Sequence, residues 1–184
     1  MKVLRKMERT VTSVNEYQIG DQIFVGKYTA TCQKVEDAGA IFLLDQYLDK
    51  PYRMNQKNTN RGGYETSDLR TKLNKDIMSD HEFDAIRENL IPFENGDLVR
   101  IPTVGEFFGV DSFYDMDDAE QWELMKKRSN RIAEREGDPY EWGWLQNTVR
   151  TSAAGFAAVG FSGVAYDYYA SNSSGVRPVF MLVP

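Results

Sequence analysis

The sequence predicts an α+β fold of short helices and antiparallel strands in one domain of 184 residues. Three observations carry this. Apolar residues recur at helical spacing between Thr66 and Leu90. Short alternating or continuous apolar runs, cut by glycine and Asn-Gly turns, occupy both ends of the chain. The stretch after Thr151 is almost uncharged, with Asp167 and Arg177 as its only ionisable side chains besides tyrosines, as expected of a segment that lies mostly inside.

Taken in order, residues 1–18 read as an N-terminal extension with a basic cluster (Lys2, Arg5, Lys6, Arg9) and a short strand at Val11–Val14. Ile23-Phe24-Val25 is a strand broken by Gly26. Tyr28–Val35 alternates as a half-buried strand, which places Cys32 on the apolar face as inert core. Ala40–Leu44 is apolar throughout, so this strand is covered on both faces. Residues 50–63, rich in Asn and Gly, form a loop. Thr66 or Ser67 caps a helix that buries Leu69, Leu73 and Ile77, and Ser79–Glu82 resembles a capping box for a second helix burying Phe83, Ile86 and Leu90.

Asn95-Gly96 reads as a hairpin turn between Leu90–Glu94 and Asp97–Ile101. Thr103 and Glu106 form a second capping box ahead of Phe107 and Phe108. Residues 111–139 read as a helical insertion. Asp117 or Asp118 caps a helix over Ala119–Glu136 whose buried stripe is Trp122, Met125, Ser129, Ile132 and Ala133. The acidic run from Asp111 to Asp118 lacks the glycine and distal glutamate of a calcium loop, so no metal is assigned there. From Tyr140 on, the chain reads as a small sheet with tight turns.

Composition narrows the function. A net charge of −6 and a pI near 4.9 disfavour nucleic acid. A single cysteine rules out an intramolecular disulfide and a cysteine-built zinc site, and no run reaches the roughly 18 apolar residues of a membrane span. A triad would have to use His81, the only histidine, and no Gly-x-Ser-x-Gly elbow accompanies it. Dinucleotide and phosphate-loop fingerprints are missing. No catalytic residue and no cofactor is therefore assigned.

Four motifs in order resemble a known family. They are Tyr64-x-x-Ser67-x-Leu69-Arg70-x-x-Leu73-Asn74, the run Ile101-Pro-Thr-x-x-Glu106-Phe107, the pair Trp144-Leu145 and the terminal Gly175-Val-Arg-Pro-Val179. Together they resemble a bacterial and phage domain family of unknown function, over roughly Gly20 to Leu182. That family is similar to the C-type-lectin-like fold of formylglycine-generating enzymes and of phage receptor-binding proteins. The resemblance implies helices packed on small twisted antiparallel sheets, with the C-terminal strand closing the core. Two departures stand out: Gln146 follows Trp144-Leu145 where the family has arginine, and the oxidase's copper-holding cysteine pair is missing, since Cys32 is alone. The sugar-binding Glu-Pro-Asn and Trp-Asn-Asp signatures of calcium-dependent lectins are also absent.

The candidate ligand-binding residues are Trp142, Trp144, Tyr166, Tyr168 and Tyr169, which can stack on sugars or anchor a protein, together with Arg177. Arg177, between apolar neighbours, must find a carboxylate or backbone carbonyls if buried; Arg70 is read in the same way. The expected function is a non-enzymatic binding module of phage, prophage or gut-bacterial type for a carbohydrate or protein surface. It would be cytoplasmic or, if phage-derived, virion-associated, and an oligomer is compatible with it. The alternative is a structural or assembly protein of a virion or tail; an enzyme of unrecognised type comes third.

Overall fold

The computed structural model describes residues 17–183, so the expected Val11–Val14 strand and the basic cluster lie outside the described residues. Strands dominate. They are β1 (Gln22–Val25), β2 (Tyr28–Val35), β3 (Ala40–Leu44), β4 (Tyr52–Arg53), β5 (Leu90–Ile91), β6 (Val99–Arg100), β7 (Gly143–Thr148), β8 (Gly155–Val159), β9 (Ala165–Tyr169), β10 (Ser173–Ser174) and β11 (Val179–Leu182). The helices are short: α1 (Asp68–Lys72), α2 (Asp84–Arg87), α3 (Val104–Phe108) and α4 (Arg128–Arg131). All three sheets are antiparallel. The largest has the order β1-β2-β3-β11-β5 with β6 also on β11; β7-β8-β9 form a second sheet and β4-β10 a two-stranded ribbon.

The continuous apolar runs have a simple cause. β3, β8 and β11 each lie between two cores, so both parities of side chain are buried. Phe42, Leu44, Phe156, Ala158, Phe180 and Leu182 enter one core, while Ile41, Leu43, Ala157, Val159, Val179 and Met181 enter the other. Phe42 and Phe180 are register partners, and their rings stack 5.9 Å apart. β2 is covered on one face only: Tyr28, Ala30 and Cys32 are buried, while Thr29 and Thr31 point the other way and are half-buried. A register shift between Cys32 and Lys34 leaves Gln33 as the extra residue of a β-bulge.

The helix motif has a structural reading. Ser67 accepts from the Arg70 amide at 3.1 Å and caps α1, which runs on into a π-helical turn at Leu73–Ile77. Leu69 and Leu73 are buried. Arg70 bonds Asp97 at 2.7 Å, and Asn74 accepts from the Leu98 and Val99 amides while donating to the Val99 carbonyl. Both side chains thus hold residues 92–98 in place.

Three expectations are corrected. The Asn95-Gly96 segment turns, with Gly96 at φ 84°, but β5 and β6 do not pair with each other. Both lie along the same edge of β11, β5 on Met181 and Leu182, β6 on Val179 and Phe180, so residues 92–98 are an excursion from one interrupted strand. Leu90 accordingly belongs to β5 and not to the second helix, and it is Asp80, not Ser79, that caps the turn at His81–Phe83.

The long helix over Ala119–Glu136 is absent. Only a 3₁₀ turn at Glu123–Lys126 and the single turn α4 form, because Lys127 and Ile132 adopt extended backbone. Arg128 and Arg131 spend donors on the carbonyls of Ser162, Met125 and Gly163, and Trp122, Met125 and Ala133 still reach the core. Asp117 does meet helix-start amides, but those of α3. Its carboxylate accepts from the Gly105 amide at 3.0 Å and from Asn147 at 2.7 Å.

Candidate functional site

The expected aromatic residues divide into three settings. Trp144 is core: it is 1 % exposed, and its indole N–H donates to the Tyr52 carbonyl at 2.7 Å. Trp142, Tyr166 and Tyr168 form a half-open strip at the edge of the β7-β8-β9 sheet. Trp142 and Tyr166 stack with centroids 4.9 Å apart and planes 22° from parallel, and Tyr168 packs at 5.3 Å on Trp142 and at 5.8 Å on Trp144. Tyr169 has the opposite parity on β9 and points to the other side, largely exposed beside Asp167.

Local sequence explains the strip. Alternation along β9 puts Tyr166 and Tyr168 on one face, and their register partners Ala158 and Phe156 support them from β8. Gly160 matters here because the Tyr166 ring lies against it: a Cβ there would come within 2.6 Å of the ring. The Tyr114 hydroxyl donates to the Tyr166 carbonyl at 2.9 Å and fixes the backbone of the strand. Just past the paired ends of β7 and β8, Tyr140 and Phe161 make an edge-to-face contact at 5.6 Å, with Tyr140 70 % and Phe161 49 % exposed. These two were not among the expected site residues. The signal for Phe161 was present: a phenylalanine inside a Gly-x-Ser-Gly turn has no core to enter.

Arg177 belongs to another place. It is 5 % exposed; its Nε donates to the Leu44 carbonyl at 2.8 Å and its Nη1 to the carbonyls of Asn130 and Arg131 at 3.3 and 3.4 Å. Among the described residues it has no carboxylate partner within ion-pair distance. Burial lowers its pKa, against which Tyr47 and Asp45 push upward. Of the two partner types expected for it, carbonyls alone are used, and they tie the approach to β11 to the end of β3 and to α4. Arg177 also lines a cleft of about 410 Å³ between the polar face of β2 and residues 124–132. Arg70 lies elsewhere, between Asp97 and Glu65.

Cys32 is buried, and burial pushes its thiol up to about 11, which leaves it unreactive near neutral pH. Asp111, Asp115 and Asp117 turn to separate local donors: Asp111 to the Phe113 amide, Asp115 to the Thr148 hydroxyl, Asp117 to α3.

Comparison of the sequence with protein-family models and with curated proteins finds no match. Among the described residues no helix is long and apolar enough to cross a membrane.

Proposed function

We propose that the chain is a non-enzymatic binding module with a C-type-lectin-like fold, of phage, prophage or gut-bacterial type, that recognises a carbohydrate or protein surface and works in the cytoplasm or on a virion. The observation that carries the reading is the Trp142–Tyr166 stack, half-open over Gly160 and flanked by Tyr168, with Tyr140 and Phe161 close by. Flat aromatic faces held rigid by strand backbone present apolar area with little ordering cost, which suits the C–H faces of sugar rings. Carbohydrate is the favoured partner of the two.

A glycan array with wild type and Tyr166→Ala tests it. The expected result is a bound glycan whose affinity falls at least about tenfold in the variant, the scale of losing one stacking contact, with the circular dichroism unchanged. A blank array, or a variant that binds as wild type, counts against it, and binding to a protein alone would move the reading to a protein surface.

An assembly role in a virion or tail is favoured by a different observation: β9 is an edge strand, paired only with β8. Light scattering decides this one, since a strict monomer at all concentrations removes it. An enzyme built on Arg70 and Arg177 finds no support, because the two arginines do not share a cleft.

A further inference from the structure

The cleft beside Arg177 has an unusual set of unused polar groups. Arg177 Nη2 has no hydrogen-bond partner among the described residues, although the residue is 5 % exposed. On the opposite wall the β-bulge turns Gln33 inward. Gln33 is 2 % exposed; its amide N–H donates to the Thr31 carbonyl at 3.0 Å, and its Oε1 is buried with no partner among the described residues. A buried acceptor left in this state costs stability unless something donates to it.

Asp45 lines the same cleft. Its carboxylate accepts from the hydroxyls of Thr29 and Thr31 at 2.8 and 2.7 Å and from Gln22 at 3.1 Å. Those three donors leave part of its roughly four-site acceptor capacity open. Among the described residues no lysine or arginine neutralises it. The cleft therefore holds one cation and one anion that feel each other's charge but, among the described residues, do not meet as an ion pair, and the facing segment adds Leu124, Met125 and Ile132 beside Ser129 and Asn130.

A ligand that matches this pattern carries a carboxylate, a neighbouring cationic donor, no net charge and an apolar tail. We propose that the cleft binds a free α-amino acid with an aliphatic side chain: its carboxylate on Arg177, its ammonium group facing Asp45, its side chain on Leu124 and Ile132. A sugar acid would also place a carboxylate on Arg177, but it would leave the Asp45 charge unbalanced and put hydroxyls against Leu124 and Ile132. The volume, about 410 Å³, lies in the range of small-molecule pockets. This site is independent of the aromatic strip.

Calorimetric titration and thermal unfolding of the full chain with L-leucine test the proposal. L-leucine is expected to bind and to raise the unfolding midpoint. Leucinamide, which lacks the carboxylate, and 4-methylpentanoate, which lacks the ammonium group, are expected to bind at least about tenfold more weakly. Arg177→Lys removes ties to β3 and α4 and can fail to fold, so Asp45→Asn carries the test: it keeps one acceptor oxygen for one threonine hydroxyl, offers its NH2 to the other, which can accept, and removes the charge. Its circular dichroism should be that of wild type and its leucine affinity at least about tenfold lower, while Tyr166→Ala binds leucine normally. Three results would overturn the proposal: no binding of any aliphatic amino acid up to about 10 mM, weaker than any useful affinity on the usual scale; glucuronate binding more tightly than leucine; or Asp45→Asn binding leucine as wild type does.

Discussion

Arg100 and Arg177 are both buried guanidinium groups, and their surroundings treat them in opposite ways. Arg100 makes two bonds to the carboxylate of Glu106, which more than offsets the effect of burial and raises its pKa. Arg177 has carbonyls only, and its pKa falls. The first is a closed ion pair; the second keeps positive potential available to whatever enters its cleft. Cys32 offers a residue-scale test of burial. Its folded-state pKa, about 11, lies above its ordinary value of 9.0, and Tyr47, buried beside Gly143 and Gly175, is likewise pushed up from 10.0 to about 12. Between these limits the unfolded chain has lost protons that the folded chain retains, so the unfolded state binds fewer protons and stability falls as pH rises. Stability is therefore expected to be flat up to about pH 8.5 and to decline between about pH 9 and 12. Urea titrations across that range check it, and Cys32→Ala should remove about 3 kcal/mol of the decline. A native-state thiol that reacts as fast as free cysteine at pH 8 contradicts the picture.

At the scale of elements, the interrupted strand β5–β6 shows how side chains replace a hairpin. Asn74 supplies the Val99 amide and carbonyl with the partners a neighbouring strand would have given, and Arg70 fixes the excursion through Asp97. Asn74→Ala leaves these groups unsatisfied at a half-buried site, a loss of about 2–3 kcal/mol. Hydrogen exchange should show the Leu98 and Val99 amides losing protection while those of β11 keep theirs; unchanged protection at Leu98 would show that Asn74 is dispensable. This is also where sequence reading reached its limit. The runs at β2, β3 and β8 and the caps at Ser67 and Thr103 were legible because each depends on spacing within a few residues. Asn95-Gly96 did mark a turn, but which strand receives Val99 is decided by β11, far along the chain. Of the stripe from Trp122 to Ala133, Trp122, Met125 and Ala133 were legible as burial, whereas Ser129 is exposed, Ile132 is half-buried and no long helix forms. The bonds of Arg128 and Arg131 to the Ser162–Gly163 turn outweigh a modest local helix preference. Sequence reading grouped Trp142, Trp144, Tyr166, Tyr168 and Tyr169 as one surface; that Trp144 is buried and Tyr169 and Arg177 lie apart depends on which sheet face meets which core.

At the scale of the whole molecule, two cores share one set of strands. β11 contributes Phe180 and Leu182 to one core and Val179 and Met181 to the other, and it receives β3 on one edge and β5 with β6 on its other. Neither core can open without exposing residues of the other on the same strand, so the cores should unfold in one transition. Phe180→Ala removes the ring stacked on Phe42 at a fully buried site and should cost about 3–5 kcal/mol. If the coupling holds, near-ultraviolet signals from Trp144 in the first core and from Trp122 in the second shift together to lower denaturant, with an unchanged slope. Single-tryptophan variants separate the two signals. Loss of the Trp144 signal at lower denaturant than the Trp122 signal would show the second core surviving alone, and β11 would then be a seam between two independently stable halves instead of the strand on which both depend.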